Sequence, residues 1–301
     1  MRIASLVPSA TEALFALGLG EQVVAVTHEC DHPTGATRLP RLTRSVVEPG
    51  LEPAQIDARV RELVGAGEAL YELDEQALAA ERPDLIVTQA LCAVCAVSYD
   101  DVQTVAARLP GGPAVLSLDP STLDEVLGDL VRVGEACGEH ERGERLRHEL
   151  RARIDQVAAA VADASRSRVA ALEWLDPPFA GGHWVPEMIA LAGGIDVLAA
   201  AGDRSREIGW EDVAAARPDI AVVMPCGLYA DEAAEQAAAH RADLAGTGAA
   251  GVVAVDAASS FSRPGPRLAD GVELLGHLLH PERVAAPAGL DWHELAVGAV
   301  R

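Results

Sequence analysis

Lysine is absent from this 301-residue chain, so all of its 24 basic residues are arginine. The 46 acidic residues outnumber them, and the formal net charge is −22 at pH 7. A field of that sign repels nucleic-acid phosphates and anionic lipid headgroups. We therefore expect neither nucleic acid nor a membrane surface as a partner, and we expect the charge to serve solubility.

Aromatic residues are also scarce, at 3% of the chain, although 50% of the residues are hydrophobic. Alanine, valine and leucine supply most of that half. This composition favours an α/β or helical fold over a β-sandwich or barrel. The length suffices for one large domain or two of ordinary size.

Long apolar runs are lacking, since none approaches the roughly 20 residues of a membrane-spanning helix. The N-terminal segment has some likeness to a secretion signal, but Pro8, Ser9, Thr11 and Glu12 interrupt it, and a strand is predicted from Arg2. We therefore expect a cytoplasmic protein without membrane insertion. Because a reducing compartment disfavours disulfides, the five cysteines need another explanation.

The pattern of the first half is that of an α/β unit. The strand "RIASLVP" at 2–8 is followed by "SATE", which predicts a capping box with Ser9 as the N-cap and Glu12 at the third helical position. Further buried strands are predicted from "QVVAVT", "LIVTQ" and "AVLSLD".

A similar order of elements returns in the second half. "RVAALEW", "AARPDIAVVMPC" and "GVVAVDA" follow one another as "RIASLVP", "AERPDLIVTQALC" and "AVLSLDP" do in the first half. We therefore predict an α/β fold of two Rossmann-like lobes, each with a largely parallel sheet. The predicted boundaries are an N-terminal lobe over 1–120, a connecting helical segment over 121–165 and a C-terminal lobe over 166–301.

The connecting segment is predicted to contain a helix over 121–136 and a long helix over 139–164. Apolar residues along the second recur every three or four positions, which gives a single buried stripe: Leu146, Leu150, Ile154, Val157 and Val161. A helix in this place predicts a stiff connection between the lobes.

Ligands of open α/β sheets bind beyond the carboxyl ends of the strands. The segments that follow the predicted strands are Pro8–Thr11, His28–Cys30, Cys92 with Cys95, Glu173–Trp174, Cys226–Gly227 and Phe261–Arg263. Four of the five cysteines belong to this set, whereas Cys137 ends a helix and is expected to pack.

The opening "SLVPSATEALFALGLGEQVVAVTHECDHP" resembles that of the class III, helical-backbone substrate-binding proteins of ABC importers, which bind cobalamin and iron chelates. "LCAVCAVS", "EWLDPPFAGGHWVPEM", "VVMPCG" and "FSRPGPRLADG" resemble a branch labelled cobalamin-binding protein that lacks a secretion signal. The resemblance covers nearly the whole chain. It implies a small-molecule ligand, cobalamin or a related corrinoid or metal chelate, held in the cleft between the two lobes. An importer as partner is in doubt, because delivery to it takes place outside the cytoplasm and no signal peptide is seen.

Aromatic residues cluster in the loop "WLDPPFAGGHW", which carries Trp174, Phe179 and Trp184 beside His183. Flat apolar rings with an imidazole suit a large planar ligand such as a corrin, and His183 could hydrogen-bond a corrin amide or coordinate cobalt. The alternative is a small loop core that packs its own rings.

Three further candidates follow strands of the second lobe. Glu173 is expected either to hydrogen-bond ligand amides or to face water at the strand end. Phe261 is a candidate lining residue. Arg263 stands in a proline-rich turn and is expected either to meet an anionic ligand group or to form a salt bridge.

Candidates in the first lobe are Ser9, Thr11 and His28. Ser9 and Thr11 are most simply helix caps, and the helix N-terminus could receive an anionic ligand group. His28 could orient or activate the Cys30 thiolate, or only serve the turn.

The cysteines leave three alternatives open. Cys92 and Cys95 have the spacing of thioredoxin-type redox pairs. Together with Cys30 and Cys226 they could supply four thiolates for zinc or an iron–sulfur cluster. They could also be small core or lining residues.

Two functional hypotheses follow from these patterns. The first is a binding protein that grips cobalamin or a related chelate. The second is a cytoplasmic metalloprotein, possibly an enzyme, with the four-cysteine site. The chain has no GxSxG, HExxH or P-loop motif, so an enzyme is the less expected of the two.

Overall fold

The computed structural model describes residues 1–89 and 99–296. These residues form two compact units. The N-terminal unit comprises Met1–Pro120 and Glu125–His148, and the C-terminal unit comprises Ser121–Asp124 and the chain from Glu149 onward. Each unit is built on a β-sheet with helices around it, so the predicted α/β class is confirmed, with parallel pairing throughout the N-terminal four-stranded sheet and among the central strands of the C-terminal one.

The N-terminal unit is centred on a parallel sheet. Its elements are β1 (Ile3–Ser5), α1 (Pro8–Ala16), β2 (Val23–Ala25), β3 (Thr43–Ser45), α2 (Pro53–Ala66), β4 (Tyr71–Leu73), α3 (Glu75–Glu81), β5 (Leu85–Thr88), α4 (Tyr99–Ala106) and β6 (Ala114–Ser117), with 3-10 turns at Gly20–Gln22 and Ala36–Arg38. The sheet order is β2-β1-β5-β6, and β3 pairs with β4 separately. The central strand β5 is buried along its whole length, as its apolar sequence "LIVT" predicts.

The capping box predicted at the first helix is wrong. The N-cap of α1 is Val7, Pro8 occupies the first helical position, and no side chain caps the helix. The fixed φ of Pro8 suits the first turn, so the helix begins before Ser9. Ser9 and Glu12 therefore lie inside the helix, and both are buried.

The two long helices are α5 (Leu123–Ala136) and α6 (His140–Ala160). The apolar stripe predicted for the second is confirmed, because Leu150, Ile154, Val157 and Val161 are buried and Leu146 packs against the N-terminal core. The boundary between the two compact units falls inside α6. Among the described helices, none combines the length and the apolar character that crossing a bilayer requires.

The C-terminal unit contains a larger, mixed sheet. Its elements are β7 (Ser167–Leu175), β8 (Pro178–Ala180), α7 (Val185–Leu191), β9 (Gly194–Asp196), β10 (Arg206–Glu207), α8 (Trp210–Ala215), β11 (Ile220–Val223), α9 (Ala230–Ala239), α10 (Arg241–Gly246), β12 (Gly251–Val255), α11 (Ala257–Ser260), α12 (Leu268–Leu279) and β13 (Trp292–Leu295). The sheet order is β10-β8-β7-β11-β12-β13, and β9 pairs with the start of β7. The pairs among β7, β9, β11 and β12 are parallel, whereas β8, β10 and β13 join antiparallel.

Helices α5 and α6 approach closely because glycines stand where they meet. A Cβ added to Gly143 would lie 2.8 Å from the Val131 Cα and 3.0 Å from the Leu130 carbonyl oxygen. A Cβ on Gly134 would lie 2.9 Å from the Glu139 carbonyl oxygen. These contacts are with backbone atoms, so a side chain can be accommodated only by moving a helix.

We expect Gly143→Ala to lower the free energy of unfolding by about 1–3 kcal/mol, because the added methyl group forces the helices apart. Gly128→Ala in α5 is the matched control, since nothing lies within 4 Å of its added Cβ. Alanine favours helix over glycine by roughly 1 kcal/mol, so the control is expected to be neutral or stabilising. Urea unfolding of both variants measures the difference, and equal effects would contradict the close packing.

A carboxyl group is partly buried at the end of β9. Asp196 Oδ1 accepts hydrogen bonds from the backbone N–H groups of Leu198 (2.8 Å) and Ala199 (3.0 Å). Its Oδ2 is buried and has no hydrogen-bond partner in the described part of the chain. Burial raises the pKa of Asp196 to about 6, and the two backbone hydrogen bonds lower it only in part.

This raised pKa predicts a pH-dependent effect of Asp196→Asn on stability. Between about pH 4 and pH 6 the folded wild type binds more protons than the unfolded chain, so the contribution of Asp196 to stability falls as the pH rises. The amide side chain of the variant does not titrate. The stability of the variant minus that of the wild type should therefore grow across this window, by at most about 3 kcal/mol. Urea unfolding between pH 4 and pH 8 tests this, and a constant difference would refute it.

Candidate functional site

Segments distant in sequence meet at the carboxyl edge of the C-terminal sheet. The Cys226 N–H, just beyond β11, donates to the Glu173 carbonyl oxygen near the end of β7 (3.0 Å). The Trp184 indole N–H donates to the Phe261 carbonyl oxygen beyond β12 (2.7 Å). The structure thus pairs Cys226 with Glu173, two residues that the sequence marks as following strands, and pairs Trp184 of the aromatic loop with Phe261, a third.

The Glu173 carboxylate ties two loops to β7. Its Oε1 accepts from the Gly182 N–H (3.2 Å), and its Oε2 accepts from the Ser205 hydroxyl. Both oxygens therefore serve protein donors. A ligand amide that hydrogen-bonds Glu173, as the sequence predicts, would share the carboxylate with these two protein donors.

The loop that carries His183 packs directly against residues 202–205. A Cβ on Gly182 would lie 2.3 Å from the Ser205 nitrogen and 2.7 Å from the Asp203 carbonyl oxygen, so only glycine fits there. The His183 N–H donates to the Asp203 carbonyl, and the Gly202 N–H donates to the His183 carbonyl (2.9 Å). His183 itself has a φ of +54°, in the left-handed region. Backbone contacts thus hold the two loops together.

The His183 imidazole lies half-buried beside the Trp184 ring, with ring centroids 5.5 Å apart. Burial lowers the pKa of His183, and the positive charge of Arg204 lowers it further. The ring is therefore neutral at neutral pH. A neutral imidazole can donate a hydrogen bond, accept one or coordinate a metal.

The aromatic residues of the loop divide into two groups. Trp184 and Phe261 are only 5% and 1% exposed, so the loop-core alternative describes them. Trp174 and Phe179 are opposite partners in the antiparallel pair of β7 and β8, and both are partly exposed. Opposite residues of such a pair share one sheet face. Trp174 and Phe179 therefore lie together on one face of this pair, and their use as a flat apolar surface for a ligand stays a prediction.

Arg263 lies partly exposed in the turn beyond α11, where its carbonyl oxygen accepts from the Gly265 N–H (2.8 Å). The two readings of its guanidinium, contact with an anionic ligand and a salt bridge, both remain predictions.

Cys30 and Thr11 belong to the core of the N-terminal unit, and both are fully buried. The Cys30 sulfur lies 3.1 Å from the Thr11 hydroxyl oxygen and 3.3 Å from that of Thr27. Thr11 also donates to the Ser5 hydroxyl (2.8 Å). With Ser9 buried as well, the side chains of Ser9 and Thr11 pack internally and do not cap α1.

His28 is held at the end of β2. Its Nδ1 lies 2.7 Å from the Thr43 hydroxyl oxygen, and its ring centroid lies 5.4 Å from that of Tyr71. Burial lowers the pKa of His28; Glu29 opposes this effect and Arg41 adds to it. The Arg41 guanidinium also donates to the carbonyl oxygens of Thr27 and Cys30, which holds the turn.

The four-cysteine site receives no support. Cys92 and Cys95 lie outside the described residues. Cys30 is enclosed in the N-terminal core, whereas Cys226 is exposed in the other unit. Over residues 1–89 and 99–296, no group of three or more His, Cys, Asp and Glu side chains is arranged to hold a metal ion.

Several residues of this region escaped the sequence analysis, among them Gly182, Arg204 and Ser205. For Arg204 and Ser205, the signal in the sequence was the turn "AGDRSRE", in which glycine and aspartate precede arginines in a strongly acidic chain. Nothing local indicated that this turn packs against Gly182, because the two segments are 20 residues apart.

Comparison with known proteins supports the resemblance noted in the sequence. Residues 3–250 match the family described as periplasmic binding protein. A vitamin B12-binding protein of Vibrio cholerae serotype O1 is 23% identical over 275 residues, which cover 90% of this chain and 86% of the relative.

Solved structures share the fold. The periplasmic vitamin B12-binding protein of Vibrio cholerae has a TM-score of 0.66 and 22% identity, over 91% of this chain and 94% of that one. A periplasmic heme-binding protein from Pseudomonas aeruginosa has a TM-score of 0.69 and 21% identity, over 94% and 93% of the two chains. A periplasmic heme-binding protein from Roseiflexus has a TM-score of 0.66 and 24% identity, over 91% and 96%.

The expectation of a cytoplasmic protein is wrong, because the relatives, including the heme-binding protein of Vibrio cholerae, are periplasmic. That expectation depended on polar residues that interrupt the first apolar segment. Those residues lie in α1, so they report on the fold and carry no information on export.

The family match extends over residues 3–250 of the 301, and it agrees with the α/β architecture of both units. This chain belongs to the periplasmic binding protein family, and the resemblance to its class III branch is confirmed.

Proposed function

We propose that this protein binds a planar metal chelate of the corrinoid or heme type, with cobalamin as the first ligand to test. The relatives named for vitamin B12 and for heme support this class of ligand. Both ligands are large, flat macrocycles around a metal ion. Recognition of either needs apolar surface for the macrocycle and a few polar groups for its rim or its metal.

The observation that carries the proposal is the pair Trp174 and Phe179. The two rings are partly exposed on one face of the β7–β8 pair, and proline and glycine residues confine the loop around them. The Trp174 indole N–H donates to the Asp176 carbonyl oxygen (3.1 Å), which fixes the ring. A fixed ring loses little conformational entropy when a flat ligand stacks on it.

The neutral His183 imidazole supplies the polar group on the same edge. A protonated imidazole could not coordinate the metal of a chelate, whereas the neutral ring can either do so or hydrogen-bond an amide. The low pKa that burial and Arg204 produce therefore suits this role.

The four-cysteine metalloprotein is not proposed, because no observation on the described residues or among the relatives favours it. The objection to an importer partner depended on a cytoplasmic location, and it falls with that location.

The test is a titration of the full-length protein with cyanocobalamin and with hemin, followed by tryptophan fluorescence and by calorimetry. We expect saturable binding of at least one chelate. Trp174→Leu should weaken it tenfold or more, since loss of a stacked ring costs about 1–1.5 kcal/mol beyond the area lost.

Trp210→Leu is the matched control. Trp210 stacks on His240 at a centroid distance of 6.2 Å and packs against the C-terminal core. It should leave affinity within about threefold of the wild type. Absence of binding to either chelate would refute the proposed function, and equal losses in the two variants would remove the role given to Trp174.

A further inference from the structure

Arg204 is an exposed arginine whose loop touches the loop of His183. Its guanidinium makes no hydrogen bond or ion pair with the residues that the structure describes. The next arginine, Arg206, differs in this respect, because it donates to the Leu198 carbonyl oxygen (3.0 Å). An uncommitted cation is thus held beside the candidate site in a chain of net charge −22.

The backbone around Arg204 is fixed. A Cβ on Gly182 would lie 2.7 Å from the Arg204 carbonyl carbon, so the two loops are in direct backbone contact. Hydrogen bonds from His183 to Asp203 and from Ser205 to Glu173 secure the residues on either side of Arg204. The backbone of Arg204 is therefore fixed against the loop that carries His183.

No carboxylate of the described residues lies within ion-pair distance of the Arg204 guanidinium. The Glu173 carboxylate accepts hydrogen bonds from the Gly182 N–H and the Ser205 hydroxyl. The positive charge of Arg204 lowers the pKa of His183. The two loops in contact thus carry one cationic side chain and one neutral side chain with ring nitrogens.

We propose that Arg204 and His183 together receive a carboxylate on the rim of the bound chelate. This inference depends on the proposed function and narrows its ligand class: chelates with a free carboxylate should be preferred over those whose rim carries only amides or esters. The planar guanidinium fork matches a carboxylate in two parallel hydrogen bonds, and the imidazole can donate a third.

The net charge of the protein gives such a cation a role. A net charge of −22 disfavours the approach of an anionic ligand, and a cation at short range offsets this repulsion. A ligand that carries no carboxylate would bind without this contact and would leave Arg204 in water.

The experiment uses two ligand pairs whose members differ only in free carboxylates, two in the heme pair and one in the corrinoid pair. One pair is hemin and its dimethyl ester, and the other is a cyanocobalamin monocarboxylate and cyanocobalamin itself. For the wild-type protein we expect the acid to bind at least about tenfold more tightly than its neutral partner in one pair. The preference should shrink between 50 and 500 mM salt, because added ions screen an exposed charge pair.

Arg204→Gln should reduce the acid preference to less than about threefold, because it weakens binding of the acid more than binding of the neutral partner. Arg204→Lys keeps the charge and loses the fork, so an intermediate preference is expected. Arg217→Gln is the matched control: Arg217 is also exposed, it belongs to the same unit, and it lies before β11 at the opposite edge of the sheet. This control should keep the full preference.

The outcomes separate the two proposals. If the wild type binds a chelate with no preference for the acid, or if Arg204→Gln behaves like Arg217→Gln, the role of Arg204 is refuted and the proposed function stands. If the wild type binds none of the four ligands, the proposed function fails and this inference fails with it. Circular dichroism of each variant shows whether a lost preference reflects a lost fold.

Discussion

Parallel pairing of β7 with β11 and of β11 with β12 is the constraint on which the candidate site depends. Strands that run in the same direction end at the same edge, so the segments after them are forced into contact. The hydrogen bonds from Cys226 to Glu173 and from Trp184 to Phe261 join segments that are about 50 and 80 residues apart in sequence. No local preference of these segments would bring them together.

The Glu173 carboxylate fixes two neighbouring loops at this edge of the sheet. One carboxylate binds a backbone N–H of the His183 loop and a hydroxyl of the neighbouring loop, and Gly182 allows the two backbones to touch. The backbones of the His183 loop and the Arg204 loop are thereby held in place before any ligand arrives. Such preorganisation lowers the entropic cost of binding, and it lets a few polar groups determine selectivity.

The spacing of the cysteines does not by itself identify a metal site. The CxxC pair and two strand-end cysteines were compatible with a shared metal site, yet Cys30 lies in the N-terminal core between two threonine hydroxyls. A thiol is small and apolar enough to be a core residue, and sequence spacing does not distinguish that use from metal ligation. Burial, which decides between them, depends on the packing of the whole unit.

Hydrophobic periodicity and turn chemistry by themselves determined the α/β class, the main buried strands of both halves and the buried stripe of α6. They could not determine that Pro8 starts α1 before Ser9, that Trp184 and Phe261 are buried while Trp174 and Phe179 are partly exposed, or that the loop of Arg204 packs against the loop of His183. The first group follows from neighbours within a few residues, which local sequence encodes. The second depends on which side chains lose water when distant segments pack, and only the tertiary structure decides that.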